Sequence, residues 1–264
     1  MRRGPSVFNR ISIGAGLVFL YAPILLLMIY SFNDSRAVNV WAGFSTRWYT
    51  ALFRDSQLMG ALWITLRIGV VSASIATVLG VMAAVALARG GLFRGRTLFS
   101  GMVYAPLVMP EVITGLSLLL LFVAVGLDRG FWTVVMAHAT FTLCYVAVVV
   151  QARLSTFDTA LEEAAQDLGC PPWRAFFAVT LPNIIPAVAA GWVLALILSL
   201  DDLVIASFTS GPGSTTLPMR IYSAVRLGVS PEINAVSTLL IGAVAVGIAV
   251  YGSVSRRRTA PARA

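Results

Sequence analysis

Six stretches of this 264-residue chain are apolar for long enough to cross a lipid bilayer, and no other feature constrains its fold as strongly. They run approximately Ile11–Phe32, Leu58–Ala88, Leu98–Val125, Phe131–Val150, Asn183–Phe208 and Ile233–Val254. A hydrocarbon core of roughly 30 Å takes about 20 helical residues, and a helix satisfies its own backbone where no water can. Only 11% of the residues are charged and 58% are hydrophobic, whereas a soluble domain carries about 25% charged residues. The expectation is an all-α polytopic membrane protein, six transmembrane helices in a single domain over residues 1–264. Arg2, Arg3 and Arg10 give the first stretch a positive flank. Its apolar run exceeds the roughly 7–15 residues of a signal peptide, and no small-x-small cleavage site follows, so it reads as a retained helix.

All 19 basic residues are arginines. With both termini in the cytoplasm, 12 of them fall on the inside, 6 fall outside, and Arg67 lies within the second span. That asymmetry satisfies the positive-inside rule. The net charge of +8 is then an orientation signal. A nucleic-acid partner would need a folded basic domain, for which the chain has no room. Without a lysine the chain cannot form a phosphate-binding P-loop, so any ATP hydrolysis belongs to a separate chain, and this one is expected not to be an enzyme. Cys144 and Cys170 sit in different environments, making neither a disulfide nor a metal site. No cofactor is expected.

Several spans carry residues that lipid would reject. Pro106 and Pro110 interrupt the third, each removing a backbone donor, and that backbone must face protein or a watery cavity. Glu111 follows directly. A Pro–Glu pair suits the start of a helical segment, but dipole relief returns only about 0.3–1 kcal/mol, against roughly 2.5–3.5 kcal/mol for a charge at the bilayer centre. Glu111 is therefore a candidate for a cation path. In the fifth span Asp201 and Asp202 are adjacent. Helical neighbours point about 100° apart, so the two cannot share a face. Asp202 falls on a small, polar stripe with Gly191, Ala195, Ser199 and Ala206, and is the better candidate to face the bundle interior. Asp201 groups with Leu194, Ile197, Leu198 and Ile205. A paired structural carboxylate, with Arg67 or Arg220, is the plainer alternative. His138, the only histidine, suits an interhelical hydrogen bond better than a proton relay. Gly- and Ala-rich positions in the second span suit close helix packing. Trp41, Phe44, Trp48, Tyr49 and Phe53 suit a membrane interface, with Ser45 as a helix cap. Leu217 to Leu227 reads as a short helix, and Ser230-Pro231-Glu232 as a helix start.

The longest polar interruption reads EAAQDLGCPPWRAFFAVTLP, Glu163 to Pro182. Leu154, Phe157, Leu161, Ala164, Ala165 and Leu168 recur at helical spacing, Gly169 stands where a C-cap belongs, and Pro171 and Pro172 block continuation. A second short amphipathic piece from Trp173 to Val179 precedes the next apolar run. The spacing of Glu163-Ala164-Ala165, three residues, Gly169, nine residues, Val179, one residue and Leu181-Pro182 resembles the cytoplasmic loop of ABC importer permeases. In that family isoleucine is commonest where Val179 stands. PLVMPEVITGLSLLLLF, LSLDDLVIASFTSGPG with TTLP after it, and VRLGVSPEINA further resemble the polyamine branch, so that the similarity covers most of Pro106 to Ala235.

The resemblance implies one permease subunit of a putrescine/spermidine importer, putrescine type nearest, of the type I, MetI-like fold with a cytoplasmic coupling helix in a loop at about 153–182. It implies a second homologous permease as heterodimer partner, two copies of a cytoplasmic ATPase, an external polyamine-binding protein and a bacterial inner membrane. Glu163, Ala164, Ala165, Gly169, Leu181 and Pro182 would meet the ATPase. Substrate binding falls by inference on Glu111, Asp201 and Asp202. An ABC permease for an amino acid or sugar, or an ion-coupled secondary transporter or channel using Glu111, His138 and the aspartates, remains the alternative.

Overall fold

The computed structural model describes residues 6–35, 40–227, 231–242 and 245. It divides into two units, Met1–Met59 with Ile221–Ala264, and Gly60–Arg220. In the first, α1 (Val7–Tyr30) opens with Ser6 as N-cap, its hydroxyl accepting from the Asn9 amide at 3.3 Å. The aromatic loop that follows is folded on itself. The Trp48 indole N–H donates to the Asn33 carbonyl at 2.6 Å, Tyr49 shares a 2.7 Å hydrogen bond with Ser31, and Phe32 stacks on Phe44. α2 (Arg47–Arg54) starts after Thr46, and the Ser45 hydroxyl accepts from the Arg47 amide at 3.3 Å. Pro231 opens helical residues 231–242. Ser230 and half of the stretch Ile233–Val254 lie outside the described residues.

The second unit holds α3 (Ser56–Arg89) from Gly60 onward, α4 (Arg96–Val108), α5 (Glu111–Ala124), α6 (Phe131–Ser155), α7 (Ala160–Asp167), α8 (Pro172–Ala175), α9 (Leu181–Asp201), α10 (Val204–Thr209) and the start of α11 (Leu217–Leu227). α6 is its centre. Val146, Val150 and Leu154 pack against Ala73, Ala76 and Ala84 of α3 and Ile184 and Ala195 of α9. Small residues bring the backbones close, as their density in the second span leads one to expect. A Cβ on Gly80 would sit 2.7 Å from the Val146 Cβ and 2.8 Å from the Leu143 carbonyl oxygen, and one on Gly191 3.2 Å from Val146. Val146 is thus gripped from α3 and α9 at once.

Two elements differ from the sequence reading. The third apolar stretch is interrupted, as its prolines lead one to expect, but the break is a sharp bend of 118° between two helices, α4 and α5. Pro110 has no N–H to donate, and it drives Met109 to φ −76°, ψ 136°, so the chain turns instead of kinking. The piece after Pro172 is likewise not a separate short helix. α8 runs through a π turn, Phe176–Thr180, straight into α9, giving one helical run Pro172–Asp201. The Leu181 amide donates to the Phe176 carbonyl five residues back. A widened turn before Pro182 absorbs the missing donor and the ring's clash. Among the described residues, four helices are long and apolar enough to cross a membrane, or five spans counting the bent pair as one.

If Gly80 sets the α3–α6 approach, Gly80→Ala should overpack the joint at a cost of about 1–3 kcal/mol. Gly101 of α4 faces open space, and Gly101→Ala should leave stability unchanged or slightly raised. Thermal midpoints of the detergent-purified protein, read by size-exclusion after heating, check this. A Gly80→Ala midpoint equal to wild type would show that the two helices are not held there.

Candidate functional site

Two places gather the polar residues of the second unit. The first is where the two broken spans meet. α9 ends at Asp201, Asp202 is extended at φ −65°, ψ 124°, and α10 begins at Val204. The amides of Ile205 and Ala206, orphaned by the new helix start, donate to the Asp202 carboxylate at 3.2 and 2.7 Å. His138 Nε2 lies 3.1 Å from Asp202 Oδ2, close but outside hydrogen-bond geometry. His138 Nδ1 meets the Ser199 hydroxyl at 2.6 Å, and Ser199 meets Ser72 at 3.1 Å. Four buried polar side chains from α3, α6 and α9 and the break form one chain. The stripe read from the sequence put Ser199 and Asp202 on one face of a continuous helix; the helix ends at Asp201, and the two are brought together by burial against His138 instead. The carboxylate's buried neighbour is His138; Arg67 instead lies over the Phe131 ring at 5.3 Å.

α5 packs along α10. A Cβ on Gly115 would meet Phe208 at 2.7 Å and the Ile205 Cα at 3.3 Å. The Pro110–Glu111 break therefore lies beside the Asp202 break, and Glu111 is within electrostatic range of both aspartates. Glu111 and Asp201 are exposed, whereas Asp202 is 8% exposed. The sequence could not show that the helix stops between the two aspartates, and that break assigns them different surroundings.

The second place is the polar loop. α7 carries Glu163, Ala164 and Ala165. Gly169 adopts φ +86°, the left-handed geometry of a C-cap that favours glycine. Leu181 and Pro182 open α9 beyond the π turn. The loop presents Leu168, Trp173 and Phe177 outward, Leu168 at 91% exposure. Its inner side is fastened by residues that the sequence did not single out. Arg89, at the end of α3, pairs with Glu162, and the Thr180 hydroxyl donates to the same Glu162 oxygen at 2.8 Å. These three lie 73 and 18 positions apart, and no local pattern connects them.

A family model described as "Binding-protein-dependent transport system inner membrane component" matches residues 76–257. The chain belongs to that family. The putrescine transport system permease protein PotI of Escherichia coli (strain K12) is 57% identical over 237 residues, covering 88% of this chain and 84% of the relative. The spermidine/putrescine transport system permease protein PotC of the same strain is 42% identical over 241 residues, covering 91% of each. Among solved structures, a bacterial ABC transporter involved in the import of the acidic polysaccharide alginate matches with a TM-score of 0.71 at 17% identity, over 95% of both chains. The MetNI methionine ABC transporter matches with a TM-score of 0.63 at 20% identity, over 82% of this chain and all of that one. Likeness at such low identity shows the fold, the all-α permease fold of ABC importers. The chain is thus an inner-membrane, multi-pass permease of an ABC importer, and the ion-coupled secondary transporter is set aside.

If Asp202 holds the start of α10, Asp202→Ala should leave two buried amides without acceptors and lower stability by about 1–3 kcal/mol. Asp202→Ser, another capping residue, should recover part of that loss. Asp201→Ala should cost less than Asp202→Ala. Thermal midpoints of the purified proteins give the order, and a reversed order would show that α10 is held by something else.

Proposed function

We propose that this chain is the permease subunit of an ATP-driven importer that takes up polyamines, putrescine foremost, by alternating access. The observation that carries the reading is the meeting of two broken spans, α5 packed along α10 with Glu111 and Asp201 exposed at the breaks, in a chain whose relatives are named as putrescine and spermidine permeases. A polyamine near neutral pH is a flexible polycation. Leaving water costs it hydration, which fixed negative charge in a low-dielectric cavity offsets. Glu111 and Asp201 supply carboxylates that a primary ammonium can reach, and Asp202 adds charge while fixing the break. The affinity needed is moderate, because the cation must also leave.

In this reading the chain is one permease domain over 1–264, with six transmembrane helices and both termini in the cytoplasm. The loop at about 153–182 is a coupling helix. A homologous permease completes the pathway as a heterodimer, two copies of an ATPase dock on the loops, and an external binding protein delivers the substrate. Glu163, Ala164, Ala165, Gly169, Leu181 and Pro182 shape the docking knob. Support comes from the apolar surface of Leu168, Trp173 and Phe177, which is costly to leave in water and suits a protein cleft. Closure of the ATPase dimer on ATP pushes the knob and opens the cavity outward, and hydrolysis reverses the motion.

Radiolabelled putrescine uptake by proteoliposomes holding the whole importer tests the reading, with leucine and maltose as neutral competitors. Asp201→Asn and Glu111→Gln should each lower uptake about tenfold, the equivalent of ~1.4 kcal/mol in cation binding, at unchanged complex yield. Full uptake in both single variants and in the double variant would remove the cation site. Uptake blocked by a neutral competitor and unaffected by spermidine would remove the substrate class.

The knob carries its own expectation. Gly169→Leu places a Cβ at φ +86°, a strain of about 1–2 kcal/mol that asparagine tolerates better. Gly169→Leu should lower ATPase co-purification more than Gly169→Asn, with insertion of the permease unchanged. Equal recovery of the ATPase by both would count against docking at this loop.

A further inference from the structure

The outward face of the loop accounts for where force enters, not for how it leaves. α7 is eight residues long and no residue of it is buried, so packing alone does not tie it to the helices beneath. One cluster does. Arg89 Nη1 donates to Glu162 Oε2 and, at 3.3 Å, to the Thr180 hydroxyl, while that hydroxyl donates to the same Oε2 at 2.8 Å. The guanidinium also lies 5.2 Å over the Phe157 ring, on the segment between α6 and α7. Thr180 is fully buried and closes the π turn, and the Arg89 and Glu162 side chains are 23% and 15% exposed. The end of α3, α7 and the entry to α9 therefore converge on one carboxylate oxygen.

We propose that Arg89 is a positioning residue for transport, the pin through which displacement of the loop is passed to α3 and α9 together. The inference rests on the reading of the chain as an ATP-driven permease. Three features support a coupling role over simple anchorage. The pin joins the loop to two membrane helices instead of one, so tilting α7 moves both. It sits at the π turn, a wide, weakly hydrogen-bonded turn of the kind that recurs at moving or functional sites. Arg89 Nη2 is buried and has no acceptor among the described residues. A guanidinium engaging a carboxylate through one arm has a second, bidentate arrangement open to it, reached by a small shift of α7 against α3. Two arrangements of the same three side chains are what a switching joint needs.

The test uses the whole importer in proteoliposomes and reads putrescine molecules imported per ATP hydrolysed, with loaded binding protein outside. Arg89→Gln and Glu162→Gln should each lower that ratio about fivefold, within the range over which residues on a coupling path change coupling, with the complex recovered in normal yield. Combining Arg89→Glu with Glu162→Arg should restore the ratio above that of either single reversal, a rescue that a loss of packing would not give. A wild-type ratio in Arg89→Gln overturns the inference, as does a double reversal no better than the singles. Should Arg89→Gln fail to assemble, Thr180→Val keeps the size and removes only the hydroxyl link; a normal ratio there overturns the inference equally. A wild-type complex that does not hydrolyse ATP on meeting loaded binding protein removes the underlying reading and the pin with it. A wild-type complex that couples, beside variants that couple equally, removes the pin alone.

Discussion

A backbone amide freed by a break in a membrane helix must find its acceptor inside the protein, because hydrocarbon offers none. The second unit is arranged around that demand. α9 stops at Asp201, and α10 starts three residues later with its first turn in need of acceptors. Asp202 meets it with both carboxylate oxygens, and the buried chain of His138, Ser199 and Ser72 meets Asp202 in turn. α3, α6 and α9 each give a residue to that chain, so the break and the helix bundle hold one another in place. The other break is solved differently. Pro110 removes a donor, Met109 turns extended, and the Pro110 carbonyl accepts from Ile113 and Thr114.

Magnitudes separate the three acids. A carboxylate at bilayer depth costs roughly 2.5–3.5 kcal/mol on insertion scales. Hydrogen bonds to a charged group are worth about 1.5–3 kcal/mol each, so the two amides on Asp202 offset its burial without any ligand. Glu111 has the start of α5 to favour it, about 0.3–1 kcal/mol, and Asp201, the last residue of α9, caps no helix start among the described residues. Both are exposed within the chain. Asp202, which the stripe of small and polar positions favoured to face the interior, is buried, and the carboxylates without such hydrogen bonds are Glu111 and Asp201. The proposed cation site would give those two a reason to be there; a structural account suffices for Asp202.

What the sequence shows and what it hides divides along contact distance. The helix Leu217–Leu227 has the bounds read from its composition, and Gly169 has the left-handed backbone that its position after Leu168 demands. Both are decided within a few residues by turn chemistry. The 118° turn at Pro110 was legible as an interruption but not as a bend, because proline fixes one dihedral and leaves the direction to packing, here α5 against α10. The π turn hid for a similar reason: Pro182 announces a disturbed helix, and whether the helix stops or widens there is decided by the backbone, where the Leu181 amide reaches the Phe176 carbonyl. Arg89 with Glu162 was invisible. Arginine at the end of an apolar run reads as a topology signal whatever it touches, and its partner lies 73 residues away.

The helical run Pro172–Asp201 begins in the polar loop and ends at the node of acids. At 1.5 Å per residue its 30 residues span about 45 Å. It has a π turn at the loop end and Pro186 inside α9, and near its C-terminus Ser199 is hydrogen-bonded to His138, which also lies 3.1 Å from Asp202. α3 is pinned to it at Thr180 through Arg89 and at Ser199 through Ser72. Val146 of α6 is held between Gly80 and Gly191 midway along. Side-chain packing of that closeness does not shear by small amounts, so the three helices respond as one body. With the loop as the place where an ATPase pushes, the first thing its stroke would move at the far end is the geometry around Asp202, and with it the separation of Asp201 from Glu111.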